Sequence, residues 1–97
     1  SHDAQNVELE MTILFHVDPD NATQLWQFIG DNYIEKIIRP TIRSRIRTVG
    51  AQWNAHDFFS SNRSQIERQV HHELVQSLSG KGLIVVDVLL GNATLIE

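Results

Sequence analysis

From Val7 to Val17 the odd positions carry Val7, Leu9, Met11, Ile13, Phe15 and Val17, while the even ones are mostly polar: Glu8, Glu10, Thr12 and His16. A period of two predicts a β-strand with one buried face. Asp18-Pro19-Asp20-Asn21 then reads as a turn, in which Pro fixes φ and the Asp and Asn side chains can cap the amides that follow. A short helix is expected from about Ala22 to Ile29, burying Leu25, Trp26 and Ile29 and stopping at Gly30.

Between Tyr33 and Val49 the period changes to that of a helix. Ile34, Ile37, Ile38, Ile42, Ile46 and Val49 share one side, and Lys36, Arg39, Arg43 and Arg47 share the other. Pro40 lacks an amide proton and crowds the preceding turn, so two helical pieces in near register are expected. Asn54-Ala55-His56-Asp57 has capping-box spacing and should open one helical turn carrying Phe58 and Phe59. A longer helix is predicted from about Asn62 to Ser79, with Ile66, Val70, Leu74 and Leu78 as its apolar stripe and Gly80 as its stop. Leu83 to Leu90 is a β-branched apolar run with two largely apolar faces, the pattern of an inner strand. The fold class is therefore α+β, a small sheet packed with three to four helices. Two strands alone make a poor sheet, so another chain or further strands should complete it.

Composition narrows the chemistry. A chain of 97 residues with 41% hydrophobic content supports one domain with a modest core. The absence of Cys excludes disulfides, thiolate metal sites and cysteine nucleophiles. A net charge of -4 argues against a globally basic nucleic-acid binder. No apolar run approaches the roughly 18 residues of a membrane span, so the chain as it stands is expected to be soluble. Ser1-His2 reads as a tag remnant and residues 3–97 as a single, partial domain cut from a longer protein.

No catalytic, cofactor or metal residue is expected. His72-Glu73-Leu74-Val75-Gln76 resembles the zinc-protease signature until Gln76 replaces the second ligand. His71 and His72 point about 100° apart on a helix, one flanking the apolar stripe and one facing solvent. Asp18 and Asp20 are explained by turn chemistry, and Asp87, within an apolar run, needs a partner or solvent. Ser60, Ser61 and Ser64 lie in a cap region without the glycines of a nucleophile elbow. Gly80-Lys81-Gly82 follows a helix and precedes a strand, the reverse of a phosphate loop. The triplets at Asn21, Asn62 and Asn92 match the glycosylation pattern, and capping explains the first two.

An interaction surface is the better candidate. Lys36, Arg39, Arg43 and Arg47 form a basic stripe, with Trp53 nearby as a stacking platform, and Glu35 stands four residues before Arg39 in the favourable helix order. An acidic neighbouring subunit or anionic lipid headgroups fit this stripe better than nucleic acid. Arg45 falls inside the apolar arc, where a guanidinium must snorkel or be paired, and a carboxylate from another subunit is one such partner.

Four landmarks then recur in order: Val17-Asp18-Pro19-Asp20-Asn21-Ala22, Ile38-Arg39-Pro40-Thr41-Ile42-Arg43-Ser44, Asn54-Ala55-His56-Asp57-Phe58-Phe59-Ser60, and Lys81 through Leu90. Together they resemble the band 7 family, also called the SPFH or prohibitin homology domain, which includes stomatins, prohibitins and flotillins. The resemblance covers nearly the whole chain and looks closer to prokaryotic stomatin- or prohibitin-like members than to flotillins. It implies a non-enzymatic scaffold without cofactor or small-molecule substrate. Such a protein has an amino-terminal membrane anchor and a carboxy-terminal coiled coil, and it assembles into homo-oligomers. It also implies association with a membrane lipid surface, the cytoplasmic side being favoured, and with a membrane protease or channel. Earlier strands of the domain would be missing from this chain. Arg45 departs from the small or apolar residue that relatives commonly carry there. The alternative function is a ligand- or nucleic-acid-binding module using Lys36, Arg39, Arg43 and Arg47.

Overall fold

The computed structural model describes residues 6–23 and 32–96. Two long strands, β1 (Asn6–Val17) and β2 (Leu83–Ile96), pair antiparallel as a two-stranded ribbon. Between them the chain forms a π-helical turn (Ile34–Ile38), helix α1 (Arg39–Gly50), a 3₁₀ turn (Ala55–Phe59) and helix α2 (Arg63–Leu78). The α+β class holds, with two α-helices and two short helical turns among the described residues, where three to four helices were expected of the whole chain. The helix expected from Ala22 to Ile29 lies, beyond Thr23, outside the described residues.

α2 forms where its pattern predicts. Ile66, Val70, Leu74 and Leu78, four residues apart, are each at most 1% exposed and drive the helix onto β2 and α1. The chain leaves α2 through Gly80 (φ 75°), with the Lys81 amide donating to the Leu78 carbonyl at 3.1 Å. Such a left-handed residue after a helix is the usual place for glycine. The capping box before the 3₁₀ turn is also present: the Asp57 amide donates to Asn54 Oδ1 at 3.2 Å and the Asn54 amide to Asp57 Oδ2 at 2.9 Å. Asn62 does not cap α2 through its side chain. Its amide nitrogen Nδ2 instead donates to Asp57 Oδ1 at 3.0 Å.

These bonds hold the Asp57 carboxyl below the ordinary carboxylate range. The Asn54 amide contributes most, then Asn62, with the charge of His56 adding to them against a small opposing burial. A carboxyl depressed in the folded state stabilises fully above the unfolded value near 3.9 and loses that contribution as pH falls through the folded value. Asp57→Asn is therefore expected to flatten the acid limb of the stability profile below about pH 4, measured as urea midpoints against pH.

Pro40 divides the run into two helical pieces in near register, as expected, a π-helical turn and α1, with no gap between them. It occupies the first turn of α1, and the turn before it widens so that the Arg39 amide bonds the Ile34 carbonyl five residues back. The wider turn gives the proline ring the room that an α-turn would deny it. α1 continues the course of the π-helical turn, and its Val49 is fully buried.

β2 was expected to be an inner strand, but among the described residues β1 alone pairs with it. Its two apolar faces arise from bulges instead. Leu14 pairs with Asp87 and Phe15 with Val85, which leaves Val86 as an extra residue, and a second shift lies between the Met11–Leu90 and Leu9–Ala93 pairs. Because Val86 resets the alternation, Leu83, Val85, Val88 and Leu90 all turn inward and are buried. Ile84, Val86 and Leu89 turn outward, 40%, 53% and 46% exposed, beside Leu14 of β1 at 47%.

Candidate functional site

The described residues place no three His, Cys, Asp or Glu side chains where they could share a metal ion. His71 is half-buried and His72 exposed, on different sides of α2. Asp87 finds its partner locally: its Oδ1 accepts the Val88 amide at 2.8 Å, within the bulge. Gly80-Lys81-Gly82 is a helix-to-strand turn with both glycines at positive φ.

The most developed concavity lies between β1 and the helical layer. α2 packs on β2, whereas α1 packs on α2 more than on β1. The inward side chains of β1 are thus left only partly covered. Leu9, Met11 and Ile13 are half-buried and Phe15 is 38% exposed. Facing them across a gap of about 720 Å³ are Ile34, Ile38, Ile42 and Ile46. Arg39, Arg43 and Arg47 form its rim.

This redraws the basic stripe. Three of its four residues border an apolar groove, where the helical pattern alone placed them on a solvated face away from the apolar side. Arg39 is paired with Glu35 at 3.4 Å, an exposed i,i+4 pair worth a few tenths of a kcal/mol. Arg43 and Arg47 have no ion-pair partner among the described residues. Lys36 is exposed and does not line the groove.

Arg45 stands apart from the other arginines. Its Nη1 lies 3.9 Å from Glu73 Oε2 on α2, and its Nη2 donates to Ser44 Oγ at 3.2 Å. The carboxylate considered as coming from another subunit is supplied by the same chain, so Arg45 links α1 to α2. With both side chains about a third exposed, such a pair is worth at most about 1 kcal/mol. Arg45→Ala is expected to cost no more than this in urea unfolding and to leave assembly of the intact protein unchanged.

Trp53 is not free to stack a base. Its indole N–H donates to Gln69 Oε1 at 3.0 Å, and the half-buried ring packs against the core. A further cluster carried no signal in the sequence. Arg63 and Glu67, one turn apart on α2, reach the bulge of β2: Arg63 donates to the Leu90 carbonyl at 2.7 Å and to that of Gly91, and Glu67 Oε2 accepts the Leu90 amide at 2.6 Å. The pair satisfies the Leu90 amide and the Leu90 and Gly91 carbonyls where the register shifts.

The whole chain, residues 1–97, matches the model of the SPFH domain / Band 7 family. Prohibitin-2, mitochondrial, of Arabidopsis thaliana is 27% identical over 94 residues, covering 97% of this chain and 32% of the relative. Prohibitin 1 of Mus musculus is 29% identical over 94 residues, covering 97% and 34%. Mitochondrial prohibitin complex protein 1 of Caenorhabditis elegans is 26% identical over 88 residues, covering 91% and 32%. The chain thus spans about a third of the length of these relatives. No solved structure matches it. With its landmarks in order along an α+β framework and a family match over its full length, the chain belongs to the SPFH domain / Band 7 family.

Proposed function

We propose that this domain is a non-enzymatic part of a membrane-associated scaffold that assembles into homo-oligomers and organises membrane microdomains or regulates membrane proteases or channels. One observation carries the assembly half of this reading. The outer face of the ribbon presents Leu14, Ile84, Val86 and Leu89, each 40 to 53% exposed, on a sheet of only two strands among the described residues. These four side chains share the face with Thr12, His16 and Asp87; exposed apolar residues gathered on one sheet face are what an interface or a further layer covers, and paired sheet faces gain stability that a lone ribbon lacks. Membership of the family, and the prohibitins among its relatives, support the membrane half. No described helix is long and apolar enough to cross a membrane, so contact with the bilayer falls to other segments or to the surface.

Chemical cross-linking of the intact protein in membranes tests the reading. A ladder of homo-oligomers in the membrane fraction is expected. A monomer, or a protein recovered wholly without membranes, would contradict it.

A second reading, a binding module using Lys36, Arg39, Arg43 and Arg47, gains support from the three arginines on the groove rim. The groove favours its ligand-binding form, since the apolar floor offers nucleic acid nothing and Trp53 is already engaged.

A further inference from the structure

We propose that the groove between β1 and α1 binds a monoacyl lipid with an acidic head, its chain lying between the strand and the isoleucine wall and its acid group held by Arg43 and Arg47. The proposal deepens the ligand-binding reading, on which it rests, and is independent of the scaffold reading.

Shape, lining and charge carry it together. The volume, about 720 Å³, falls within the roughly 300–1,000 Å³ of small-molecule sites. The wall from Ile34 to Ile46 runs about 18 Å along the helix, a span suited to an extended chain rather than to a compact ring. Both sides are apolar, with Met11 and Ile13 on the strand facing Ile42 and Ile46 on the helix. Every charged residue on the lining is an arginine. Of these, Arg39 already has Glu35, whereas Arg43 and Arg47 lack a carboxylate among the described residues. A guanidinium fork suits a carboxylate or phosphate head. Free phosphate has no use for the apolar floor, and an apolar helix has none for the rim. One molecule that is apolar along its length and anionic at one end uses both.

The test titrates the protein at pH 7 with submicellar octanoate, decanoate and dodecanoate, and with dodecanol, following Ile and Met methyl signals by NMR. Saturable shifts are expected at Met11, Ile13, Ile42 and Ile46, with affinity falling about fourfold for each methylene removed. Arg43→Gln with Arg47→Gln, both exposed positions that leave the core intact, should weaken dodecanoate about tenfold or more and leave dodecanol unchanged. Ile46→Trp, which fills the groove, should abolish both, its folding checked by circular dichroism. The arginine pair answers the question even if that variant does not fold. Three outcomes overturn the proposal: unsaturable shifts at Ile84 on the outer face as large as those in the groove, dodecanoate affinity unchanged in the arginine variant, or groove methyls that shift with protein concentration alone, which would seat a second copy there. Failure of the scaffold reading would look different, as lost assembly with lipid binding intact.

Discussion

Replacing Leu74 by Ala is expected to lower the unfolding free energy by about 3 kcal/mol. Leu74 is fully buried and sits at the centre of the α2 stripe, among residues that are themselves at most 1% exposed. Truncation removes the transfer free energy of the lost carbons and leaves a cavity that close-packed neighbours fill only in part. For a chain of this size, whose total stability is about 5–15 kcal/mol, the loss is a large fraction. The melting midpoint should fall by about 15 °C. Leu89→Ala is the control: its side chain is 46% exposed on the outer face, and the cost should stay below about 1 kcal/mol. Urea unfolding with an unchanged m-value measures both.

Replacing Glu67 by Leu should cost about 2 kcal/mol, because the Leu90 amide then loses its acceptor in a partly buried place. Glu67→Gln keeps an acceptor oxygen and should recover most of the loss. A mere packing role for Glu67 would give the reverse order, with Leu tolerated better than Gln. The local readout is hydrogen exchange at the Leu90 amide, expected to quicken in the Leu variant and stay near its original rate in the Gln variant. Gly91 at the same bulge is also constrained, since a Cβ there would lie 3.2 Å from the Glu10 carbonyl oxygen. α2 therefore holds β2 in two ways, by the apolar stripe and by this polar clamp.

The elements that the sequence shows plainly are those set by neighbours in the chain. Ile66, Val70, Leu74 and Leu78 recur at helical spacing and are all buried, and Asn54 and Asp57 form the capping box that their spacing implies. Pro40 shows the limit of such reasoning. Its steric demand is local and visible and sets a division of the run, but the form the division takes, a widened turn that leaves Ile38 and Val49 on the same core, is not readable from spacing. The two apolar faces of β2 misled in a similar way. A run of apolar residues at both odd and even positions describes a strand covered on two sides, and equally a strand whose alternation is reset at Val86. Sequence pattern alone does not separate them.

The site was legible in its parts. The odd residues of β1, the isoleucines of the helix and the arginines beside them can each be read from the chain. That β1 and α1 stand apart, leaving a groove with Arg39, Arg43 and Arg47 on its rim, depends on α1 packing against α2 rather than the strand. The same is true of the pairs Arg45–Glu73 and Trp53–Gln69, whose members lie far apart in the sequence. Such contacts follow from the assembled fold and have no periodic signature.

On the scaffold proposal the domain works by assembly through the outer face of its ribbon. Leu14→Thr, Val86→Thr and Leu89→Thr together keep strand propensity while removing three of the four exposed apolar side chains named on that face. The decisive measurement is the sedimentation of the intact protein extracted from membranes, wild type against this triple variant. Large homo-oligomers are expected for the wild type and a shift to smaller species for the variant, with the melting midpoint of the domain little changed. An assembly of the same size in both would contradict it.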